Sequence, residues 1–147
     1  GLKLLVLDYL QLCTGTNPGR GTTRNTEIEE ISRGLKILAK QLGIAVLLLS
    51  QLSRDVEKRQ NPEPTLADLR DSGAIEQDAD AVLFLWLVRT WSDRKIIGLG
   101  LAKNRQGKTG SRIPLEFFGA LQRWTDSDAD INPTKPKRAT EAGGFEA

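Results

Sequence analysis

The hydrophobic positions of this chain fall into two kinds of block. Leu4 to Leu7 is an unbroken aliphatic run that stops on Asp8; Ile44 to Leu49 is a second, ending in Ser50 and Gln51; Ala81 to Val88 is a third. A run with no polar face leaves nothing for water, so each fits a strand buried on both sides, as in a parallel sheet. Between the first two runs, Ile28, Ile31, Leu35, Leu38 and Leu42 recur at steps of three and four residues until Gly43. Thr26-x-x-Glu29 ahead of them has the form of a capping box, so the spacing predicts an amphipathic helix with one stripe on the sheet. Strand, helix, strand predicts a right-handed parallel crossover.

The remaining segments are shorter or more polar. Cys13 to Arg24 is rich in Gly, Thr and Asn and reads as a loop; Ser53 to Leu66 is charged, carries Pro62 and Pro64, and reads as a second exposed loop. Ile75 to Asp80 predicts a short helix. After a turn near Ser92 and Asp93, Ile96 to Ala102 predicts a fourth strand whose Gly98 and Gly100 imply close backbone packing or a bulge. Lys103 to Gly110 reads as a hairpin connection, Ile113 to Phe118 as its return strand, and Gln122 to Thr125 as a last short edge. From Asp126 onward the chain is polar, with Lys135, Lys137 and Arg138 clustered, and disorder is expected. The fold class is therefore α/β: a mostly parallel sheet flanked by helices over residues 1–125, with a C-terminal hairpin and a flexible tail over 126–147.

Composition narrows the chemistry. The 147 residues suit one domain and contain no histidine, which removes histidine-based zinc sites, serine-histidine triads and histidine acid-base schemes. The lone Cys13 has no partner within the chain, and no signal peptide or membrane-length apolar run is present, so a reducing cytoplasmic setting with no membrane contact is expected. A net charge of +2 is too small to argue for a polyanion partner by itself. The chain lacks methionine and starts on Gly1 directly at the first strand, which predicts a piece of something longer.

Candidate chemistry gathers where the strands end. In open α/β sheets ligands bind outside the carboxyl ends of the strands, so Asp8 is a candidate to hold Mg²⁺ on a nucleotide phosphate; a helix cap or loop anchor is the plainer alternative. Gln51 is placed to orient a water or sense a terminal phosphate, or else is a solvated amide. Lys103 and Arg105, two apart, face the same way if the strand runs through them, and would neutralise charge on a transferring phosphoryl group; the alternative is a solubilising hairpin tip. In a parallel sheet these three ends would be neighbours on one edge. Arg54, Arg70 and the Gly73 amide lie in loops able to track a phosphate backbone, or are ordinary surface groups. No Gly-x-x-x-x-Gly-Lys-[Ser/Thr] loop occurs, and Gly107-Lys108-Thr109 lacks the upstream glycine and opens no helix.

Four stretches in order carry a resemblance: Leu-Asp-Tyr-Leu-Gln-Leu at Leu7 to Leu12, Ser-Gln-Leu-Ser-Arg at Ser50 to Arg54, Asp-Leu-Arg-Asp-Ser-Gly-Ala-Ile-Glu-Gln-Asp-Ala-Asp at Asp68 to Asp80, and Ala-Lys-Asn-Arg-x-Gly at Ala102 to Gly107. Together they resemble the carboxyl-terminal half of the DnaB-type replicative DNA helicase, a RecA-like motor, from Leu2 to about Trp124. The resemblance implies ATP and Mg²⁺ as cofactors, a homo-hexameric ring, translocation on single-stranded DNA, and primase and a helicase loader as partners. By it, Asp8 is the Walker B acid acting on Mg²⁺ through water, Gln51 senses the γ-phosphate, and Arg105 with Lys103 enters the neighbouring subunit's ATP site. Arg54, Arg70, Asp71 and Gly73 match positions of the DNA-binding loops. The family usually has Glu at the position of Asp71, and its phosphate loop and catalytic glutamate precede the matched region, so the 147 residues are expected to be inactive as an ATPase alone. A RecA-type recombinase or clock-like ATPase shares the core, but the long Arg54 to Arg70 insertion and the Gln-Asp-Ala-Asp run argue against it. A non-catalytic DNA-binding or oligomerisation fragment is the alternative of a different class.

Overall fold

The computed structural model describes residues 1–15, 23–69 and 73–132. Strand β1 (Leu4–Leu7) pairs in parallel with β2 (Ala45–Leu48), Leu4 opposite Ala45 and Leu7 opposite Leu48, and helix α1 (Arg24–Leu42) connects them. The helix begins two residues before the expected box. Thr23 is its N-cap, accepting from the Thr26 amide at 3.3 Å, and Gly43 ends it at φ 62, the left-handed geometry that costs glycine nothing. Its first residue, Arg24, donates to the carbonyls of Gln11 and Cys13 at 2.9 Å each, which fixes the segment after β1 against the helix.

Helix α2 (Gly73–Asp78) leads into β3 (Ala81–Trp91), which turns through Ser92 (φ 50) and Asp93 into β4 (Arg94–Asn104); β5 (Arg112–Phe118) and β6 (Arg123–Asp126) follow. These four strands form one antiparallel sheet in sequence order, with Leu85 opposite Leu99 and Leu99 opposite Ile113. The described strands thus form no single, mostly parallel sheet: two pair in parallel and four form a separate antiparallel sheet, because a two-residue turn reverses the chain after β3 and a parallel return would need a crossover of a dozen residues or more.

Burial on both faces does not hold either. One face of β1 and β2 is open, with Leu4 at 50%, Val6 at 53% and Leu47 at 50% exposure, because α1 covers only the opposite face. There Ile28 and Ile31 meet Leu10, Leu48 and Ile75. On β3 the pattern alternates: Val82, Phe84 and Trp86 are buried while Leu83, Leu85 and Leu87 are bare.

The buried face of β3 is covered by the segment expected as an exposed loop. Leu52, Leu66 and Leu69 pack on Val82, Phe84 and Trp86, and Val56 is itself buried. Gly98 and Gly100 serve the close approach anticipated for them. The Trp86 ring lies across both, so a Cβ at Gly98 would collide with it and one at Gly100 would come to 3.0 Å. At the far end Ile131 joins this second core, and residues 133–147, with the Lys135, Lys137 and Arg138 cluster, lie outside the described residues.

Candidate functional site

Asp8 follows β1 directly, is exposed, and makes no hydrogen bond or ion pair among the described residues; the Asp8–Tyr9 peptide bond is cis. Parallel pairing brings the end of β2 beside it, since the Leu49 amide donates to Leu7 O at 3.0 Å and the Leu10 amide to Leu49 O at 2.9 Å. Gln11 clasps this end: its Oε1 accepts from the Gln51 amide at 3.2 Å and its Nε2 donates to Ser50 Oγ at 3.0 Å. The Gln51 backbone is therefore fixed while its own amide side chain has no partner among the described residues. Gln51 also lines an open groove with Arg54, Pro62, Leu85 and Leu87. Arg54 starts a short turn (Arg54–Lys58), with Ser53 Oγ accepting from the Asp55 amide at 3.4 Å, and its guanidinium has no partner among the described residues.

The segment carrying Arg54 is closed by an aspartate. Asp68 accepts from the Thr65 amide at 2.7 Å, from Thr65 Oγ1 at 2.9 Å and from the Arg59 guanidinium, and Ser53 N donates to Asp68 O at 3.0 Å. Burial alone would raise this carboxyl, but the bonds from Thr65 and the Arg59 charge outweigh it and hold it below the usual carboxylate range. Glu63 extends the closure to β5, pairing with Arg112 Nε at 2.6 Å.

Lys103 and Arg105 share a side, as their spacing implied, but their partners lie elsewhere. Lys103 Nζ donates to Glu76 O, and to Gln77 O at 3.4 Å; Arg105 Nη2 donates to Gln77 O at 2.7 Å, and its Nε stands 3.1 Å from Asp80 Oδ1. Both cations thus close the carboxyl end of α2, where the carbonyls carry partial negative charge. The expected meeting of three strand ends on one edge does not occur. Antiparallel pairing sets Ala81, the first residue of β3, opposite Asn104, so β4 delivers its carboxyl end to the start of β3, and no bond among the described residues joins it to Asp8 or Gln51. Gly73 opens α2 with nothing within 4 Å of where a Cβ would stand, so its own surroundings do not require glycine. Arg70 and Asp71 lie outside the described residues.

Four residues went unassigned from sequence: Gln11, Asp68, Lys36 and Asp80. Gln11 lies within the Leu7 to Leu12 stretch without a role of its own there, and Lys36 carries no signal in the sequence. Thr65-x-x-Asp68 has the same capping-box form that was read at Thr26, and its box is formed here. Among the described residues there is no group of three or more His, Cys, Asp or Glu able to hold a metal, and no helix long and apolar enough to cross a membrane.

A mixed α/β fold with a carboxylate-and-amide corner and a separate cation corner defines a domain whose two polar sites sit on different elements. The chain belongs to the DnaB-like helicase C-terminal domain family, whose model matches residues 1–126. It is 45% identical over 130 residues to the replicative DNA helicase DnaB of Geobacillus stearothermophilus, covering 86% of this chain and 28% of that protein. It is 44% identical over 143 residues to the replicative DNA helicase DnaC of Bacillus subtilis (strain 168), covering 90% and 31%. A solved structure of a DnaB-like replicative helicase and its interactions with primase superposes with a TM-score of 0.75 at 36% identity, over 85% of this chain and 30% of that one. The chain spans about three-tenths of the length of these relatives.

Proposed function

We propose that the chain is part of the ATP-driven motor of a hexameric replicative DNA helicase, a RecA-like unit that works in the cytoplasm and moves along single-stranded DNA. The family match over residues 1–126 carries this reading. In it, Asp8 and Gln51 serve the nucleotide bound by their own subunit, whereas Arg105 and Lys103 serve the neighbour's. That division is supported by their placement on separate elements. Arg54, Arg70, Asp71 and Gly73 are assigned to the DNA-binding loops. An Arg54 with no partner among the described residues, and a glycine crowded by none of them, fit a phosphate backbone drawing close. By the same reading the ring engages primase and a helicase loader.

The donor set fits magnesium arriving with nucleotide. Mg²⁺ keeps several waters and takes one or two carboxylates beside substrate phosphates, and Asp8 is one exposed carboxylate with no competing cation among the described residues. Bound there through water, the ion would supply charge neutralisation on the phosphates. Gln51, its backbone clasped by Gln11, would place its amide near the terminal phosphate or the attacking water. Arg105 would present a planar fork of donors that stays charged as the phosphoryl group develops charge. The 147 residues hold no phosphate-cradling Gly-x-x-x-x-Gly-Lys-[Ser/Thr] loop, so this chain alone is proposed to hydrolyse no ATP.

The test mixes complete subunits carrying Arg105→Ala with complete subunits carrying Asp8→Asn. Mixed rings should regain ATP turnover, because an intact Asp8 site can then meet an intact Arg105 from next door. If no mixture exceeds the sum of its two inactive parents while rings assemble and exchange subunits, the division between own site and neighbour's site is wrong.

A further inference from the structure

Residues 76–80 collect donors from two directions. From β4 and the turn after it come Lys103 Nζ on Glu76 O and Gln77 O, Arg105 Nη2 on Gln77 O, and the Arg105 amide on Asp80 O at 2.7 Å. From α1 come Ser32 Oγ on Asp78 Oδ2 at 2.8 Å and Lys36 Nζ on Asp80 Oδ2. Among the described residues, Asp80 is the one side chain that faces both groups, with Oδ2 on Lys36 and Oδ1 on the Nε of Arg105. We infer that Asp80, held by Lys36, is a positioning residue for Arg105, fixing its guanidinium from behind so that the Nη1 end is offered outward. The inference rests on the reading that Arg105 serves an ATP site.

The geometry favours orientation over stability. Both side chains are more than half exposed, 51% for Arg105 and 62% for Asp80, and a pair so open to water adds little to folding. What it does is restrict a long, flexible side chain. Arg105 has five N–H donors in a rigid plane; Nε faces Asp80 and Nη2 bonds Gln77 O, while Nη1 has no partner among the described residues. The plane is thereby set before any phosphate arrives, and the ordering entropy is already spent. The Lys36 hydrogen bond, ahead of the opposing effect of burial, holds the Asp80 carboxyl below its usual range. Removing the Asp80 side chain leaves the main-chain bond from Arg105 N to Asp80 O in place, so the turn after β4 keeps its anchor.

The test is a double-substitution cycle in complete helicase rings. Asp80→Ala should lower kcat by about 10- to 100-fold with little change in KM, since misplacing one group by about 1 Å costs on that order. Asp80→Asn, which keeps an acceptor oxygen, should recover part of the loss. Adding Asp80→Ala to Arg105→Ala should cost nothing further, whichever subunit's site Arg105 serves. A further multiplicative loss in the double variant, or unchanged kcat in Asp80→Ala alone, overturns the inference. Mixing Asp80→Ala with Asp8→Asn subunits should restore turnover, and mixing it with Arg105→Ala subunits should not. If Arg105→Ala complements Asp8→Asn while Asp80→Ala does not, the inference fails and the division between subunits stands; if neither complements yet the double-substitution cycle holds, that division fails and the inference stands. Should Asp80→Ala rings fail to assemble, Lys36→Ala carries the same cycle, with a smaller loss expected because it loosens the carboxylate without removing it.

Discussion

The Asp8 corner and the Arg105 corner are built on opposite plans. At the first, the backbone is fixed by strand pairing and by Gln11, while the Asp8 carboxylate and the Gln51 amide reach out with no partner among the described residues. At the second, the cationic side chains themselves are held, Lys103 by the carbonyls that end α2 and Arg105 by one of those carbonyls together with Asp80. The contrast teaches where preorganisation is needed. A group that meets a ligand delivered to its own subunit can take its orientation from that ligand, whereas a group presented across an interface must be aimed beforehand.

The largest effect should come from the held corner. Arg105→Ala in the complete ring is expected to lower ATP turnover by about 10³- to 10⁵-fold, the usual worth of an arginine finger, with subunit assembly intact by analytical ultracentrifugation. A loss of less than about tenfold would make Arg105 a helix-end cation and erase the contrast.

Next is the clasp at the open corner. Gln11→Ala frees the Ser50 hydroxyl and the Gln51 backbone, and turnover should fall by about 10- to 100-fold through misplacement of the Gln51 side-chain amide. Gln11→Ala combined with Gln51→Ala should be no worse than Gln51→Ala alone; additive losses would show that Gln11 acts by some other route.

The third prediction concerns the segment between the corners. Asp68→Ala removes the buried carboxylate on which the exposed Thr65 and Arg59 donors converge, and stability should drop by about 1–3 kcal/mol in denaturant unfolding. Asp68 has a lowered value in the folded state, so its stabilisation is fully present above the ordinary aspartate value of 3.8 and is lost as pH falls through the lower folded value. Protection of the Ser53 amide, bonded to Asp68 O, against hydrogen exchange relative to a free amide at the same pH should fall in that acid window in the native protein and show no such step in Asp68→Ala.

The smallest effect is at Arg54. If it contacts a phosphate, Arg54→Ala should weaken single-stranded DNA binding equally for all sequences and reduce the salt slope by about 0.7. An unchanged slope would leave Arg54 a plain surface charge.

What the sequence made legible divides along the same physical line. Helix α1 was readable from its stripe and from Gly43, and the Trp86 packing was foreshadowed by two glycines in one strand, because these signals are local. Strand direction was not local. Ala81 to Val88 is apolar at every position, so its inward Val82, Phe84 and Trp86 looked no different from its outward leucines, and the run read as doubly buried. Asp8 and Gln51 stood out because they end apolar runs. Asp80 did not, because its partners Lys36 and Arg105 lie 44 residues before and 25 after it, and only the folded arrangement brings them to one carboxylate.

Trp86 gives the molecule an optical consequence. Its indole belongs to the core that Leu52, Leu66 and Leu69 cover and lies across Gly98 and Gly100 at 6% exposure, while Trp91 and Trp124 are 69% and 49% exposed. Two of the three tryptophans therefore emit from a wet environment whatever the covering segment does, and one emits from a dry environment only while that segment is down. A red shift confined to the Trp86 component, read against a Trp91→Phe/Trp124→Phe background, would time the lifting of the Arg54-bearing segment without any attached dye.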